Sequence, residues 1–352
     1  MVYRTMKPIA LLLFTVLCAS AQTAFQISET AGIARTDEPV KVTVNGSPTV
    51  LYVTIGAKET KTVKVDEARP KMPLKTNVGD RVGFFVENSQ FLADLSGWYG
   101  RGRLEDSGTL RTLVYRQFGA ALLRSQNRMH WAPSLQRPNT NGYSSIGTWH
   151  PVQWFERSVG NDYVTLHRRG HHQDYPEVEI DATYEFFADV PYFLFESTMT
   201  VKQPTDLYWL RNQEMTMDKN FTHVAWAGPD GKPQIYRFDE QIPVMEKNPI
   251  PADVPWLCFF DENRGFGYGA VILAYEATTT AGAKHSINIG VNDARYWDRH
   301  LISKTNTKLK PGDRYYERTA YVLFPAPKGD PLKEFLEWGR RIRNPLKAQP
   351  AP

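Results

Sequence analysis

The segment from 177 to 202 constrains this chain more than any other, because it carries two successive runs of period-two alternation joined by a turn phrase. In an extended chain Val178, Ile180, Ala182, Tyr184 and Phe186 fall on one face, and Glu177, Glu179, Asp181, Thr183 and Glu185 on the other. After Ala188-Asp189-Val190-Pro191-Tyr192, the residues Phe193, Phe195, Ser197, Met199 and Val201 alternate with Leu194, Glu196, Thr198, Thr200 and Lys202. Adjacent strands with one apolar and one wet face predict a large antiparallel sheet packed on one side. Further strands are expected over residues 110–118, 163–168, 208–217, 256–260, 269–275, 286–291 and 315–324. Shorter ones run from residue 25 to about 70, with Asn45-Gly46 as a hairpin turn. One helix is convincing: Asp330 is placed to cap it, Pro331 suits its first position, and Leu332, Phe335, Leu336 and Ile342 fall near one face. The fold class is therefore all-β. A small N-terminal β domain is expected over 22–100, a β-sandwich with its C-terminal helix over 101–346, and a disordered Ala/Pro/Gln tail over 347–352. The boundary is set by the cluster of Gly97, Gly100 and Gly102.

The first 21 residues read as a secretory signal peptide. Arg4 and Lys7 lead an apolar run, and Ala19-Ser20-Ala21 is a small-x-small cleavage site. A secreted or periplasmic protein is expected, with no later stretch apolar enough to span a bilayer. Removing Arg4 and Lys7 lowers the formal charge from +4 to +2, which is not the clustered excess of base that a nucleic-acid binder shows. Mild basicity favours an acidic polysaccharide as partner. Only Cys258 remains beyond the leader, so an internal disulfide is excluded there and the fold must rest on a packed core.

Two phrases carry a resemblance. Glu29-Thr30-Ala31-Gly32-Ile33-Ala34-Arg35-Thr36-Asp37-Glu38-Pro39-Val40 resembles the first strand of secreted polysaccharide-lyase-like proteins of the exo-rhamnogalacturonan lyase type. Tyr184-Glu185-Phe186-Phe187-Ala188-Asp189-Val190-Pro191-Tyr192-Phe193 is similar to a strand-turn-strand phrase of galactose-mutarotase-like β-super-sandwiches. The resemblance implies a small β-barrel followed by a large antiparallel super-sandwich. It implies fold more than activity, since one sandwich hosts many chemistries, and no catalytic motif is matched residue by residue.

The stretch from 124 to 187 concentrates reactive side chains. Five of the eight histidines lie in it: His130, His150, His167, His171 and His172. β-Elimination at a uronic acid needs a base for the C5 proton, an acid for the leaving oxygen and a group to neutralise the carboxylate. Histidine and tyrosine suit the first two roles and arginine the third. The candidate catalytic residues are His130 or His171 as base, with His150 beside them, Tyr175 as acid, and Arg128 or Arg169 on the carboxylate. Trp131, Trp149 and Trp154 are candidate sugar platforms, with Arg124 and His172 as further substrate-binding residues. Each histidine also has a plain reading, as a hydrogen-bonded packer or a solvated residue at the hairpin tip after Gly170. No cofactor is assigned. His150, His171, His172 and Asp174 would be the ligands of a divalent metal, but no established zinc spacing appears. Glu177 and Glu179 are the carboxylate pair of a hydrolytic alternative, and a non-catalytic carbohydrate-binding protein is the other.

Overall fold

The computed structural model describes residues 23–76, 83–96, 110, 112–122, 134–142, 144–145, 154–160, 162–238, 250–282, 286–290 and 295–352. The chain opens with β1 (Ala24–Ser28), β2 (Arg35–Val44), β3 (Ser47–Ile55) and β4 (Thr60–Lys64), followed by β5 (Lys75–Thr76), β6 (Gly83–Glu87), β7 (Phe91–Ser96), β8 (Thr112–Tyr115) and β9 (Ala120–Ala121). Then come β10 (Ser134–Gln136), β11 (Ser144–Ser145), β12 (Trp154–Val159), β13 (Tyr163–Gly170), β14 (Val178–Phe187), β15 (Tyr192–Val201) and β16 (Thr205–Met217). The last third holds β17 (His223–Ala227), β18 (Pro233–Arg237), β19 (Ile250–Pro251), β20 (Trp256–Asp261), β21 (Phe266–Ala277), β22 (Ser286–Gly290), β23 (Arg295–Leu309) and β24 (Arg314–Pro325). Helix α1 (Lys333–Arg343) and β25 (Lys347–Pro350) end it.

A nine-stranded antiparallel sheet, in the order β12-β13-β14-β15-β24-β21-β20-β17-β18, is the platform. The apolar face expected for β14 and β15 is its inner face: Ile180, Tyr184, Phe186, Phe193 and Phe195 are buried. Two sheets cover that face. On one half lies the five-stranded sheet β5-β6-β7-β8-β9, with the Phe91 ring 6.3 Å from Phe186 and 6.1 Å from Phe193. On the other lies the six-stranded sheet β11-β10-β16-β23-β22-β19, with Trp297 4.7 Å from Phe259 and 6.0 Å from Tyr268. Each large ring so buried contributes roughly 1.5–3 kcal/mol, and with no disulfide among the described residues the sandwich rests on this core.

Helix α1 covers the outer face of the nine-stranded sheet. Tyr268 points inward at Trp297, so its neighbour Gly269 faces outward, where an added Cβ would lie 2.6 Å from the Phe335 ring. That ring also meets Trp256 at 5.6 Å and Phe324 at 4.9 Å. Asp330 does not cap the helix as expected. Leu332 holds the cap position with no side-chain hydrogen bond, and it is buried because its side chain belongs to the apolar stripe.

Two expectations about organisation need correction. The boundary placed at residue 100 falls inside the five-stranded sheet, which packs on the sandwich. The separate N-terminal cluster is smaller: Phe25, Ile27, Val40, Val42, Leu51, Val53 and Ala68, joined by Leu346 from the far end of the chain. The tail over 347–352, expected to be disordered, supplies β25, which pairs with β1 from Phe25↔Pro350 to Ser28↔Lys347. Its four residues are exposed, so the strand is held by backbone hydrogen bonds and its side chains carry no pattern. The Asn45-Gly46 turn does form, with both residues at positive φ, closing the β2–β3 hairpin. The leader at 1–21 lies outside the described residues.

Candidate functional site

The outer face of the six-stranded sheet gathers a polar cluster on β16 and β23. These strands pair with Arg211 opposite His300, Asn212 opposite Arg299, Met215 opposite Trp297 and Thr216 opposite Tyr296. Two residues on β16, Gln213 and Glu214, therefore lie opposite one on β23, Asp298, and the extra one is Gln213, in the left-handed region at φ 54°. In a regular strand Arg211 and Glu214 would face opposite sides. The bulge turns Gln213 inward with Asn212 and leaves Arg211 and Glu214 together on the outer face.

The bulge is anchored from the core side. Gln213 donates its backbone N–H to Glu317 Oε1 (3.3 Å) and its Nε2 to Thr319 Oγ1 (3.4 Å), both on β24 of the opposing sheet. Arg299 Nη1 donates to Asn212 Oδ1 (3.3 Å) and Glu317 Oε2 (3.4 Å), its Nε donates to the Ala252 carbonyl (2.8 Å), and its guanidinium lies 4.2 Å from the Tyr275 ring centroid. Burial pushes the Glu317 carboxyl up to about 7, against the Arg299 charge and the hydrogen bonds it accepts.

On the outer face, Arg211 Nη1 donates to Asp298 Oδ2 at 2.8 Å, and its Nη2 lies 3.2 Å from Glu214 Oε2. His300 Nε2 lies 2.9 Å from Asp298 Oδ1, a close contact whose angle falls outside hydrogen-bond geometry. The Trp209 indole packs edge-on against the His300 ring at 4.8 Å. Asp298 is wholly buried and Arg211 and Glu214 are nearly so, at 7% and 6% exposed, whereas Trp209, Tyr296 and His300 are half-buried, so the cluster has a closed floor and an accessible rim. Burial raises the Glu214 carboxyl to about 8, with Arg211 opposing and the Asp298 charge adding to the shift. A carboxyl raised in this way holds its proton to higher pH than an exposed glutamate. The Trp209 Nε1 is a buried donor with no hydrogen-bond partner among the described residues. Together these groups offer a carboxyl with a raised pKa, an imidazole beside a buried carboxylate and a flat apolar ring on one surface.

The residues expected from sequence are placed otherwise, where they can be placed. Arg124, Arg128, His130, Trp131, Trp149 and His150 lie outside the described residues. Trp154 and Arg169 are register partners on β12 and β13, in the nine-stranded sheet rather than the sheet bearing Asp298 and His300. Arg169 is exposed there, and neighbouring His167 holds Asp181 at 2.7 Å. His171 is half-buried just past β13. His172 and Tyr175 do meet, with ring centroids 6.0 Å apart, but both are buried and lock a turn. The Tyr175 hydroxyl accepts the Arg137 N–H (3.2 Å) and donates to the Leu135 carbonyl (3.3 Å), and burial raises its pKa. His172 Nδ1 accepts the Asp174 N–H at 3.1 Å. Glu177 and Glu179 are not a working pair: Glu177 is bound to Arg137 at 2.6 Å and Glu179 to Lys202 at 2.8 Å. Among the described residues, no group of three or more His, Cys, Asp or Glu side chains is arranged to hold a metal ion.

The sequence does not display the cluster, because residues 295–309 carry no period-two alternation. Arg299 faces the core and Asp298 the outer side, so both faces of β23 carry charge and no apolar stripe shows. The available signal was the Asp-x-His spacing of Asp298 and His300, which puts both on one face of any strand.

The sequence matches no protein-family model and no curated protein. Solved structures do resemble the fold. An α-mannosidase from Enterococcus faecalis V583 superposes over 94% of this chain and 46% of its own, at 9% identity and a TM-score of 0.58. A TPR-domain containing protein from Parabacteroides distasonis ATCC 8503 matches over 93% of this chain and 60% of its own, at 11% identity and a TM-score of 0.42. A galactose mutarotase-like protein from Lactobacillus casei ATCC 334 matches over 69% of this chain and all of its own, at 10% identity and a TM-score of 0.41. The chain thus spans about half the length of the α-mannosidase whose fold it shares.

Proposed function

We propose that the outer face of the six-stranded sheet binds a saccharide and transfers protons on it, and that the reaction is elimination at a uronic acid of an acidic polysaccharide outside the cytoplasm. The observation that carries this reading is the joint placement around Arg211 of Glu214, whose carboxyl burial pushes up, and of His300, 2.9 Å from Asp298. His300 would remove the proton beside the uronate carboxyl, Glu214 would return one to the departing glycosidic oxygen, and Arg211 would meet the carboxylate. The bond from C4 to oxygen breaks as the C4–C5 double bond forms. Trp209 supplies a stacking surface, and Tyr296 a hydroxyl at the rim. The leader phrase at 1–21, the mild basicity and the α-mannosidase that shares the fold agree with an exported carbohydrate-active protein. A hydrolytic mechanism needs a second carboxylate free to act on water or sugar. Asp298 is wholly buried beneath Arg211 and presents no surface to water or sugar, which disfavours it.

The test is incubation of the full chain with polygalacturonate, rhamnogalacturonan and alginate. Ultraviolet absorbance of the unsaturated uronide should appear, and should vanish in His300→Ala and Glu214→Gln. New reducing ends without that absorbance would replace the elimination with hydrolysis. Retention on immobilised polysaccharide without turnover would leave a binding protein, and neither retention nor turnover would remove the carbohydrate reading.

A further inference from the structure

Two aromatic rings stand on either side of His300 along β23. Trp209 pairs with Ser303, three residues beyond His300, and its ring meets the imidazole at 4.8 Å. Tyr296 lies four residues before His300 on the same face of the strand, roughly 13 Å away at the usual strand rise. The Tyr296 ring is folded across β22. Gly290 is its register partner there, and a Cβ on that glycine would lie 1.7, 1.9 and 2.4 Å from three ring atoms in a row, so the ring takes the space a side chain would fill. The Asn288 amide, two residues earlier on β22 and opposite Asp298, hydrogen-bonds the phenol. The ring is thus fixed by a glycine beneath it and an amide at its tip. Tyr296 is nevertheless half-buried only, and among the described residues no second aromatic ring packs on it.

We propose that, taking this outer face as the saccharide site, Tyr296 is a second stacking platform with Asn288 as its positioning residue, and that the site therefore holds a chain of at least three sugar units. A pyranose ring presents an apolar C–H face, which packs on a flat aromatic surface. The unit acted on sits at His300. Trp209, in contact with that imidazole, serves the reacting end, and Tyr296 serves a unit farther along. Four residues of extended strand are longer than one pyranose ring, so a disaccharide held at His300 stops short of Tyr296 and a longer chain reaches it. Fixing the ring in advance lowers the ordering cost of that contact.

The test is calorimetry on the full chain carrying His300→Ala, which stops turnover, against galacturonate and alginate oligomers of two, four and six units. For the sugar that binds, affinity should rise about tenfold or more between two units and four. Tyr296→Ala in the same chain should remove that rise and leave the two-unit oligomer bound as before. Tyr296→Phe, which keeps the ring, should keep most of the rise, and Asn288→Ala should lose part of it. Affinity that does not grow beyond two units would overturn the proposal and leave the saccharide reading standing. So would an equal loss at every length in Tyr296→Ala, or Tyr296→Phe as damaging as Tyr296→Ala, since the ring would then not be the binding surface. No binding at any length would remove both readings together. Melting curves identify a variant that fails to fold, in which case the length series on the His300→Ala chain and on Tyr296→Phe decides.

Discussion

The backbone N–H of Gln213 donates to Glu317 Oε1 across 3.3 Å, joining the two layers directly behind the candidate site. Gln213 is at φ 54°, a conformation that costs a β-branched side chain most. Gln213→Val should therefore lower stability in urea denaturation by about 1–3 kcal/mol, and Gln213→Gly by less, although both lose the Thr319 bond. Equal losses would mean that the left-handed geometry is not maintained in solution.

Arg299 and Glu317 are both wholly buried, and neither has water to fall back on. Arg299→Met leaves a buried carboxyl without its cation and should cost about 3–5 kcal/mol. Adding Glu317→Leu should recover much of that loss, because two apolar groups replace two charges. A double variant no more stable than Arg299→Met would show that Glu317 is held mainly by Gln213 and by Ser197, whose hydroxyl donates to its Oε1 at 3.5 Å.

The raised carboxyls set a pH dependence. Glu214 goes up to about 8 and Glu317 to about 7, from an ordinary value of 4.5. Between about 4.5 and 8 the folded chain therefore binds more protons than the unfolded chain, and the contribution of these two groups to stability falls as pH rises through that window. Glu214→Gln should flatten the fall on its alkaline side, measured as denaturation free energy against pH. The same slope in the variant and the parent would show Glu214 to be ionised in the fold. Proton donation by Glu214 should likewise fade above about pH 8.

Gly290 pairs with Tyr296 across β22 and β23, and a Cβ there would lie 1.7 Å from the Tyr296 ring. Gly290→Ala should displace that ring from the rim of the site. We expect a loss of about 1–3 kcal/mol from overpacking, together with weaker saccharide binding. Unchanged binding would remove Tyr296 from the substrate-facing set.

The terminal strand can be tested by truncation. A chain ending at Arg343 loses β25 and Leu346, leaving β1 with an unpaired edge. Amide exchange should rise in residues 24–28 and stay low in β14 and β15, whose partners are intact. Uniform exchange across both would mean that the N-terminal cluster and the sandwich unfold as one unit.

Much of the scaffold was legible. The faces of β14 and β15 followed from period two because one side is apolar and the other wet, and α1 followed from its apolar stripe. β25 was not legible, since Lys347, Ala348, Gln349 and Pro350 bear no pattern and the strand exists only because β1 offers its edge. The candidate site was illegible for a related reason. Its strands put charge on both faces, and the inward Arg299 is tolerated because distant groups meet it: Glu317 from a strand on another sheet, and the Ala252 carbonyl.

By itself the sequence determined which faces of the long strands turn inward, and so that this chain forms an antiparallel β structure with an α-helix near its C-terminal end. Alternation is a property of neighbouring residues, and sequence displays it directly. Only the tertiary structure decided that Arg211 and Glu214 share a face with Asp298 and His300. That depends on one extra residue in β16, held in place by a carboxylate from the opposing layer, and hydrogen bonds between distant strands leave no trace in local pattern.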